Sequence, residues 1–321
     1  MAMVLATTEA NNRTAVPMVV DPSTAAADSL FSVGDLTVEF SAVKSSKTPA
    51  WSPPVDITVA SPLEKGLYPL LMFLHGYMLS KDDYRKLLQH IASHGYIVVA
   101  PQSNVLFPCS QADITGAAAT TNWLPTGLQY ILPKGVKVDL EKLALSGHSR
   151  GGHAAFALAL GHAETDLKFS ALLGIDPVAG PGPETQIPPK ILTNEPSSFA
   201  LDMPVLVVGS GLGEKKRLPI FPACAPEGVN HAEFYYECKT PCYYFVVSDY
   251  GHMDMLDDDA AFLMKCLCAK GTDRDLMRRS IGGLVVAFLK ACLEDDKDDL
   301  QAILGDPDIA PAKLNPVDHR I

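Results

Sequence analysis

The chain has 321 residues, of which 47% are hydrophobic and 20% are charged. This length and apolar content predict a large buried core and fit one α/β domain better than two. The formal net charge of -11 argues against nucleic acid and anionic membrane surfaces as main partners. No apolar run approaches the roughly 20 residues that a membrane-spanning helix needs.

Residues 1–30 are rich in Ala, Thr and Val, and we expect them to form a flexible N-terminal tail. They lack the charged start and long apolar core of a secretory signal. Arg13 is their single basic residue, which makes a poor transit peptide as well. We predict that residues 31–295 form one domain and that residues 296–321 form a C-terminal tail.

The first elements of this domain read as antiparallel strands. Leu36–Phe40 and Val55–Val59 alternate apolar and polar residues, as half-exposed strands do. The segment between them, Lys44–Pro54, contains three prolines and predicts a hairpin loop. The next strand, Pro69–Leu74, is fully apolar, which is typical of a strand buried on both faces.

A helix is predicted over Lys81–His94, where Ser80 and Asp83 have the spacing of a capping box. Gly95 ends this helix, and Tyr96–Ala100 is the next buried strand. The long stretch Pro101–Asn122 shows no clear period and predicts an irregular lid or pocket wall.

Strands continue to alternate with helices to the end of the domain. The predicted elements are helix Trp123–Leu132, strand Lys142–Ser146, helix His153–Leu160, strands Ala171–Ile175, Pro204–Val208 and Tyr243–Val247, and helices Asp257–Cys268 and Asp273–Leu293. This alternation predicts a mostly parallel central sheet flanked by helices on both faces. Two antiparallel strands followed by strand–helix repeats match the α/β-hydrolase fold.

The segment Ser146–Gly152 runs from an apolar strand through Gly-x-Ser-x-Gly into an Ala-rich helix. This is the context of a nucleophile elbow, in which a serine lies on a strained strand-to-helix turn. Side chains at Gly147 or Gly151 would collide across such a turn. The pattern alone is weak in a chain with 23 glycines, but in this context it predicts Ser149 as a nucleophile.

A serine hydroxyl needs a base, and hydrolases of this fold place their groups in the chain order Ser, acid, His. His252 directly follows the last predicted strand, at the carboxyl end of the sheet, and we predict that it is the general base and acid. His75 and His148 precede or adjoin the serine, and His231 lies in a loop before a helix.

Two carboxylates are candidates for the residue that orients the histidine. Asp176 follows the strand after the elbow, and Glu214 follows the next strand, a position that many esterases of this fold use. Pro177 stiffens the loop after Asp176, whereas Glu214 is followed by three basic residues, as in a solvated surface turn. We therefore predict Asp176, which would stabilise the imidazolium without taking the proton.

A tetrahedral intermediate needs hydrogen-bond donors aimed at its oxyanion. The backbone N–H of Arg150, directly after the nucleophile, is the first predicted donor. The second is predicted in the loop after Pro69–Leu74, from the backbone N–H of Tyr77 or Met78. These groups indicate hydrolysis of an ester, thioester or amide, and they do not name a substrate.

The seven cysteines indicate free thiols in a reducing compartment, because a chain of this size does not depend on a disulfide scaffold. The alternative that Cys224, Cys238 or Cys242 takes part in a disulfide is left open. The pairs Cys238/Cys242 and Cys266/Cys268 do not match the two knuckles of a four-cysteine zinc site, and we predict no metal site.

Four motifs together resemble the plant chlorophyllases. They are Phe73–Tyr77, Ser146–Gly152 with its Arg after the serine, Leu172–Gly180, and Tyr250–Asp254. The similarity extends from about Phe31 to Leu293. It implies a serine esterase that cleaves the phytyl ester of chlorophyll to chlorophyllide and phytol through an acyl-enzyme. The family's triad corresponds to Ser149, Asp176 and His252. The reaction implied needs no cofactor, and the magnesium belongs to the substrate.

Such a substrate needs a wide apolar pocket. We predict that its walls include His75, His148, Phe107, Trp123 and Met253, and that Val105–Pro108 and Phe221 also contribute. Ordinary core or lid packing is the alternative for each of these residues. Chlorophyll and related phytyl-ester porphyrins are the expected partners, with transient membrane contact through an apolar lid. The resemblance also implies an intracellular plant protein, with the chloroplast favoured over the cytosol or endomembranes.

Two other functions compete with this one. An esterase or lipase of the same fold could act on another apolar ester, and only substrate profiling separates it from a chlorophyllase. A binding protein with an inactive hydrolase site is the other alternative. Such proteins usually lack a triad member, whereas all three are present here in the expected order.

Overall fold

The computed structural model describes residues 29–103, 109–217, 219, 221–260 and 266–321. Nine strands form its central sheet: β1 (Val38–Val43), β2 (Ile57–Pro62), β3 (Gly66–Leu74), β4 (Ile97–Pro101), β5 (Val136–His148), β6 (Ala171–Ile175), β7 (Val205–Ser210), β8 (Cys242–Val247) and β9 (Leu314–Arg320). Their spatial order is β1-β2-β4-β3-β5-β6-β7-β8-β9.

Six neighbouring strands of this order pair in parallel: β4, β3, β5, β6, β7 and β8. The pairs β1–β2, β2–β4 and β8–β9 are antiparallel. Parallel pairing requires crossover connections, most of which contain helices. The helices are α1 (Arg85–Ser93), α2 (Gln111–Gly127), α3 (Arg150–Ala159), α4 (His231–Glu237), α5 (Arg274–Leu289) and α6 (Asp298–Gly305). The predicted mostly parallel α/β fold is confirmed.

Two apolar layers cover the two faces of the sheet. Leu71 and Phe73 of β3 belong to the layer that α1, α5 and α6 cover. Leu70 and Met72 belong to the layer that α2, α3 and α4 cover. Because side chains along a strand point to alternate faces, one apolar run supplies both layers. Each such fully buried side chain contributes about 1.5–3 kcal/mol.

The helix predicted over 81–94 has the expected start. Ser80 accepts a hydrogen bond from the backbone N–H of Asp82, and the Asp83 carboxylate accepts one from the backbone N–H of Ser80. Its first turn, Lys81–Tyr84, is a 3-10 helix that leads into α1. The capping box therefore shapes this start as predicted.

The prediction of an irregular stretch over 101–122 is wrong for much of that length, because α2 begins at Gln111. Thr120 and Thr121 each bond back to the carbonyl four residues earlier. Such residues and Gly116 have low helix propensity, so packing on the sheet rather than local pattern holds this helix. Residues 104–108 lie outside the described residues.

The helix predicted over 257–268 is not seen in the part that is described. Residues 257–260 form a turn, and residues 261–265 lie outside the described ranges. Most of the predicted N-terminal tail, residues 1–28, also lies outside them. Its last two residues differ from the prediction, because Ser29 and Leu30 are helical and Leu30 is buried.

The prediction of a tail over 296–321 is also wrong. α6 packs on the core through Leu300, and β9 adds to the edge of the sheet along β8. The guanidinium of Arg320 donates hydrogen bonds to the carbonyls of Tyr235 and Cys238 and lies 4.1 Å from the ring centroid of Tyr235. The edge pairing holds a segment with few apolar residues, which its own pattern could not reveal.

Cys224 and Cys268 form a disulfide. The expectation of free thiols is wrong for this pair, since the fold brings together two cysteines that are 44 residues apart in sequence. Cys109, Cys238, Cys242, Cys266 and Cys292 are free. None of the helices in the described ranges is long and apolar enough to span a membrane.

Candidate active site

Ser149 connects β5 to α3 with φ 57° and ψ -125°, a backbone conformation that non-glycine residues rarely adopt. Its neighbouring glycines permit the turn. A Cβ at Gly147 would lie 2.2 Å from the Gly151 carbonyl oxygen, and one at Gly151 would lie 2.2 Å from that of Leu74. The turn therefore places the serine at the carboxyl end of the sheet, above the first N–H groups of α3.

His252 lies in the turn after β8, and its ring bridges two of the predicted residues. Its Nε2 is 2.8 Å from Oγ of Ser149, and its Nδ1 is 2.7 Å from Oδ2 of Asp176. Because a carboxylate only accepts, Nδ1 carries the proton and Nε2 accepts the hydrogen bond of the serine hydroxyl. This is the tautomer that a general base requires.

The carboxylate of Asp176 is fully buried. It accepts hydrogen bonds from His252, from the hydroxyl of Ser210 and from the backbone N–H of Ser210. Burial raises the pKa of Asp176, but the hydrogen bond and charge of His252, together with His231 and Ser210, outweigh burial and lower this pKa to about 2. The group is thus a carboxylate at neutral pH.

Glu214, the alternative acid, is exposed and accepts a hydrogen bond from the side chain of Asn230 at 2.8 Å. Asp176 is the carboxylate that faces His252. The three side chains therefore have the arrangement that the predicted roles require, and those roles stay predictions.

The predicted oxyanion donors lie on two elements beside Ser149. Arg150 is the first residue of α3, so its backbone N–H is at the positive end of the helix. Tyr77 and Met78 form the turn after β3, in which Met78 has φ 54°. The guanidinium of Arg150 lies 4.8 Å from the ring centroid of Tyr77. The choice between Tyr77 and Met78 stays open.

A cavity of about 390 Å³ opens onto Ser149 and His252. Most of its other walls are apolar: Val178, Pro181, Ile187, Phe221, Pro222 and Met253. The disulfide half Cys224 and the neighbouring Leu267 also line it. The site thus pairs a buried nucleophile and base with an apolar chamber, which suits the cleavage of an ester with apolar parts.

A family model described as chlorophyllase matches residues 26–321. The chain belongs to the chlorophyllase family. It is 51% identical over 261 residues to Chlorophyllase-2 of Arabidopsis thaliana, covering 78% of this chain and 82% of that protein. Identity to Chlorophyllase-1 of the same plant is 45%, over 89% and 91% of the two chains. Chlorophyllase-1, chloroplastic, of Citrus unshiu is 44% identical, over 83% and 81%. The predicted family resemblance is confirmed.

Three of the predicted pocket residues lie elsewhere in this chlorophyllase-family protein. Trp123 packs in the core, and its indole N–H donates to the carbonyl of Trp51 at 2.8 Å. His75 lines a second cavity, of about 260 Å³, beside Asp113. His148 is fully buried behind the site. Whether a side chain reaches the cavity depends on the direction in which it points, and closeness in sequence to the site does not determine that direction.

Of the other predicted walls, Met253 and Phe221 do line the cavity of the chlorophyllase-family site. The whole Val105–Pro108 segment, including Phe107, lies outside the described residues. The apolar pocket is therefore built mainly by the segments that follow β6, β7 and β8.

Sequence reasoning missed three residues that hold the chlorophyllase-family triad. Asp254 accepts hydrogen bonds from the backbone N–H groups of Gly251 and Gly271, at 2.8 and 2.6 Å, and so fixes the turn that carries His252. Ser210 bonds Asp176 as described above, and Nε2 of His231 lies 3.9 Å from Oδ1 of Asp176. Only Asp254 left a signal, as the last residue of the Tyr250–Asp254 motif.

No group of three or more His, Cys, Asp or Glu side chains in the described ranges is placed to hold a metal ion. Cys238 and Cys242, one of the pairs weighed as metal ligands, are both fully buried, and Cys242 lies in β8 opposite Arg320 of β9.

Proposed function

We propose that this protein is a serine carboxylesterase that hydrolyses the phytyl ester of chlorophyll to chlorophyllide and phytol. One observation carries the proposal: in a chain of the chlorophyllase family, Ser149 Oγ lies 2.8 Å from a His252 ring that Asp176 orients. Catalysis by such a unit requires hydrogen-bond contact between nucleophile, base and acid, which these distances supply.

In the first half of the reaction, Oγ of Ser149 attacks the ester carbonyl carbon while Nε2 of His252 takes the hydroxyl proton. Asp176 stabilises the imidazolium and keeps its own charge, in line with a pKa of about 2. The carbonyl oxygen becomes an oxyanion that faces the N–H of Arg150 and the turn at Tyr77 and Met78.

The intermediate then collapses. The bond from the carbonyl carbon to the phytyl oxygen breaks, His252 returns its proton to that oxygen, and phytol leaves. The chlorophyllide acyl group stays on Ser149 as an ester. His252 next takes a proton from water, which attacks the acyl carbon, and then protonates Oγ as chlorophyllide is released.

The cavity supports a substrate with large apolar parts. Phe221 and Met253 in its walls offer apolar contact area to a ring system or an alkyl chain. Met78, next to the site, is 51% exposed, and Phe221 is 38% exposed. We propose that this apolar rim makes the transient membrane contact through which a lipid-borne substrate enters.

We propose that the protein works inside the plant cell, with the chloroplast favoured over the cytosol or endomembranes. The support is indirect: two Citrus relatives are named chloroplastic chlorophyllases. Imaging a C-terminal fluorescent fusion against chlorophyll autofluorescence tests the compartment, and a signal outside the plastids would contradict it.

The test of the activity is incubation of the purified protein with chlorophyll a, followed by chromatography of the products. Wild type should release chlorophyllide and phytol, and Ser149→Ala should release neither while its folding stays intact. A nitrophenyl ester is assayed beside chlorophyll. Rapid Ser149-dependent cleavage of that ester without chlorophyllide would indicate an esterase or lipase for another apolar ester.

A further inference from the structure

His148, which adjoins the nucleophile, is fully buried, and both of its ring nitrogens are engaged. Its Nε2 lies 3.0 Å from the main-chain carbonyl oxygen of His252, and its Nδ1 lies 2.7 Å from the hydroxyl of Tyr84. A carbonyl oxygen only accepts, so Nε2 carries the proton and Nδ1 accepts from Tyr84. Burial lowers the pKa of His148 well below its ordinary value, which keeps the ring neutral.

The Tyr84 hydroxyl extends this connection to the turn after β3. It accepts a hydrogen bond from the backbone N–H of Gly76 at 3.1 Å while it donates to His148. Gly76 directly precedes Tyr77 and Met78, the predicted oxyanion donors. A continuous chain of hydrogen bonds thus runs from the oxyanion turn, through Tyr84 and His148, to the main chain of His252.

There is little free space along this chain of hydrogen bonds. A Cβ built at Gly76 would lie 3.1 Å from both Nδ1 of His148 and Cβ of Ser149. The Tyr84 ring is fully buried and packs edge-on against Phe73, with ring centroids 4.8 Å apart. These hydrogen bonds are therefore shielded from solvent, and the close packing around them tightly determines their geometry.

We propose that His148 and Tyr84 are positioning residues for catalysis, holding the base His252 and the oxyanion turn at fixed distances from Ser149. His148 directly precedes Ser149 in the polypeptide. One neutral imidazole therefore sets the distance from Ser149 to His252 and the distance from Ser149 to the oxyanion turn. The inference rests on the proposed esterase function. A misplacement of about 1 Å in such groups costs on the order of 10²-fold in rate.

Tyr84→Phe tests the proposal, because it removes one hydroxyl and keeps the ring that fills the core. The expected result is a kcat lower by about 10- to 100-fold with KM nearly unchanged. Tyr96→Phe is the matched control. Tyr96 is equally buried, and its hydroxyl donates to Glu294. Tyr96 directly precedes β4, at the amino end of the parallel strands, whereas the triad lies at their carboxyl ends. Tyr96→Phe should lower thermal stability similarly and leave kcat at the wild-type value.

Substitutions at His148 separate its two hydrogen bonds. His148→Gln keeps an N–H donor for the His252 carbonyl, whereas His148→Leu keeps neither hydrogen bond. We expect Gln to retain at least several-fold more kcat than Leu. Equal kcat for the two variants, or wild-type kcat in Tyr84→Phe, would overturn the proposal.

Each variant is also labelled with a fluorophosphonate, whose reaction rate with Ser149 reports the activated serine and requires no chlorophyll. Slower labelling in Tyr84→Phe but not in Tyr96→Phe supports the positioning role even if wild type fails to cleave chlorophyll, and that failure would count against the proposed substrate alone. Unchanged labelling in Tyr84→Phe would contradict the positioning role.

Discussion

The guanidinium of Arg150 forms a buried ion pair with Asp113 of α2, with Nε 2.9 Å from Oδ2. The same guanidinium lies over the ring of Tyr77. The residue after the nucleophile thus connects three segments: the first turn of α3, the helix α2, and the turn after β3. This contact gives a physical reason for an arginine at this position of the elbow, where any residue could supply the backbone N–H.

Asp113→Asn should destabilise the fold by about 3–5 kcal/mol, because it leaves the Arg150 charge buried without its counter-charge. Burial also raises the pKa of Asp113, and the charge of Arg150 is the largest influence that opposes this rise, with smaller ones from Ser103 and His75. Urea unfolding measures the loss. The control is Asp295→Asn, which breaks an exposed pair with Lys297 and should leave the free energy of unfolding almost unchanged.

Asp176→Asn should lower kcat by about 10⁴-fold, because an amide in place of the carboxylate favours the wrong tautomer of His252. Glu214→Gln makes the same chemical change at an exposed carboxylate and should leave kcat near the wild-type value. Steady-state assays with a nitrophenyl ester compare the two. A large loss in Glu214→Gln with a small one in Asp176→Asn would show that the acid is misassigned.

His153 should make the protein less stable below neutral pH. Its ring is buried between Ser110 and the carbonyl of Pro189, and burial lowers its pKa from 6.5 to about 4. Between pH 6.5 and pH 4, the unfolded chain binds a proton at His153 more readily than the folded protein does. The contribution of neutral His153 to the free energy of unfolding is therefore complete above pH 6.5 and is lost as the pH falls to about 4. The loss is on the order of 3 kcal/mol.

Denaturant unfolding between pH 7 and pH 4 measures this effect of His153. His153→Gln should flatten the pH dependence of the free energy of unfolding, while the exposed His319→Gln should leave its slope as in wild type. Equal slopes for wild type and His153→Gln would rule out the assigned titration.

Gly151→Ala should prevent the elbow from forming, because the added Cβ would lie 2.2 Å from a backbone oxygen that cannot move aside. The cost should exceed the usual 1–3 kcal/mol of overpacking, and we expect little soluble folded protein. Gly305→Ala is the matched change, since a Cβ there meets no atom within 4 Å. Soluble yield and circular dichroism compare the two, and a folded, active Gly151→Ala protein would contradict the steric argument.

Much of the site could be predicted because its signals are local. The elbow is a short pattern of glycines between a strand and a helix, and its steric demands act within a few residues of Ser149. His252 and Asp176 follow apolar strands, and the carboxyl ends of parallel strands meet at one edge of a sheet. Because strands and helices alternate regularly in this fold, the order of the residues along the chain and their positions after strands sufficed to select them.

The errors occurred where local pattern is weak. α2 contains Gly and Thr residues that do not favour a helix, and its stability comes from the sheet beneath it. β9 has few apolar residues and is held by main-chain pairing with β8. In both segments, contacts with distant parts of the chain outweigh intrinsic propensity.

By itself, the sequence determined the fold class, the elbow at Ser149 and the family, because these depend on periodicity and on short motifs. Only the tertiary structure decided that His148 connects to Tyr84 rather than lining the pocket, that Cys224 pairs with Cys268, and that Trp123 lies in the core. The physical reason is that contacts between side chains depend on direction and distance in space. Those are set by packing between segments that lie far apart in the chain.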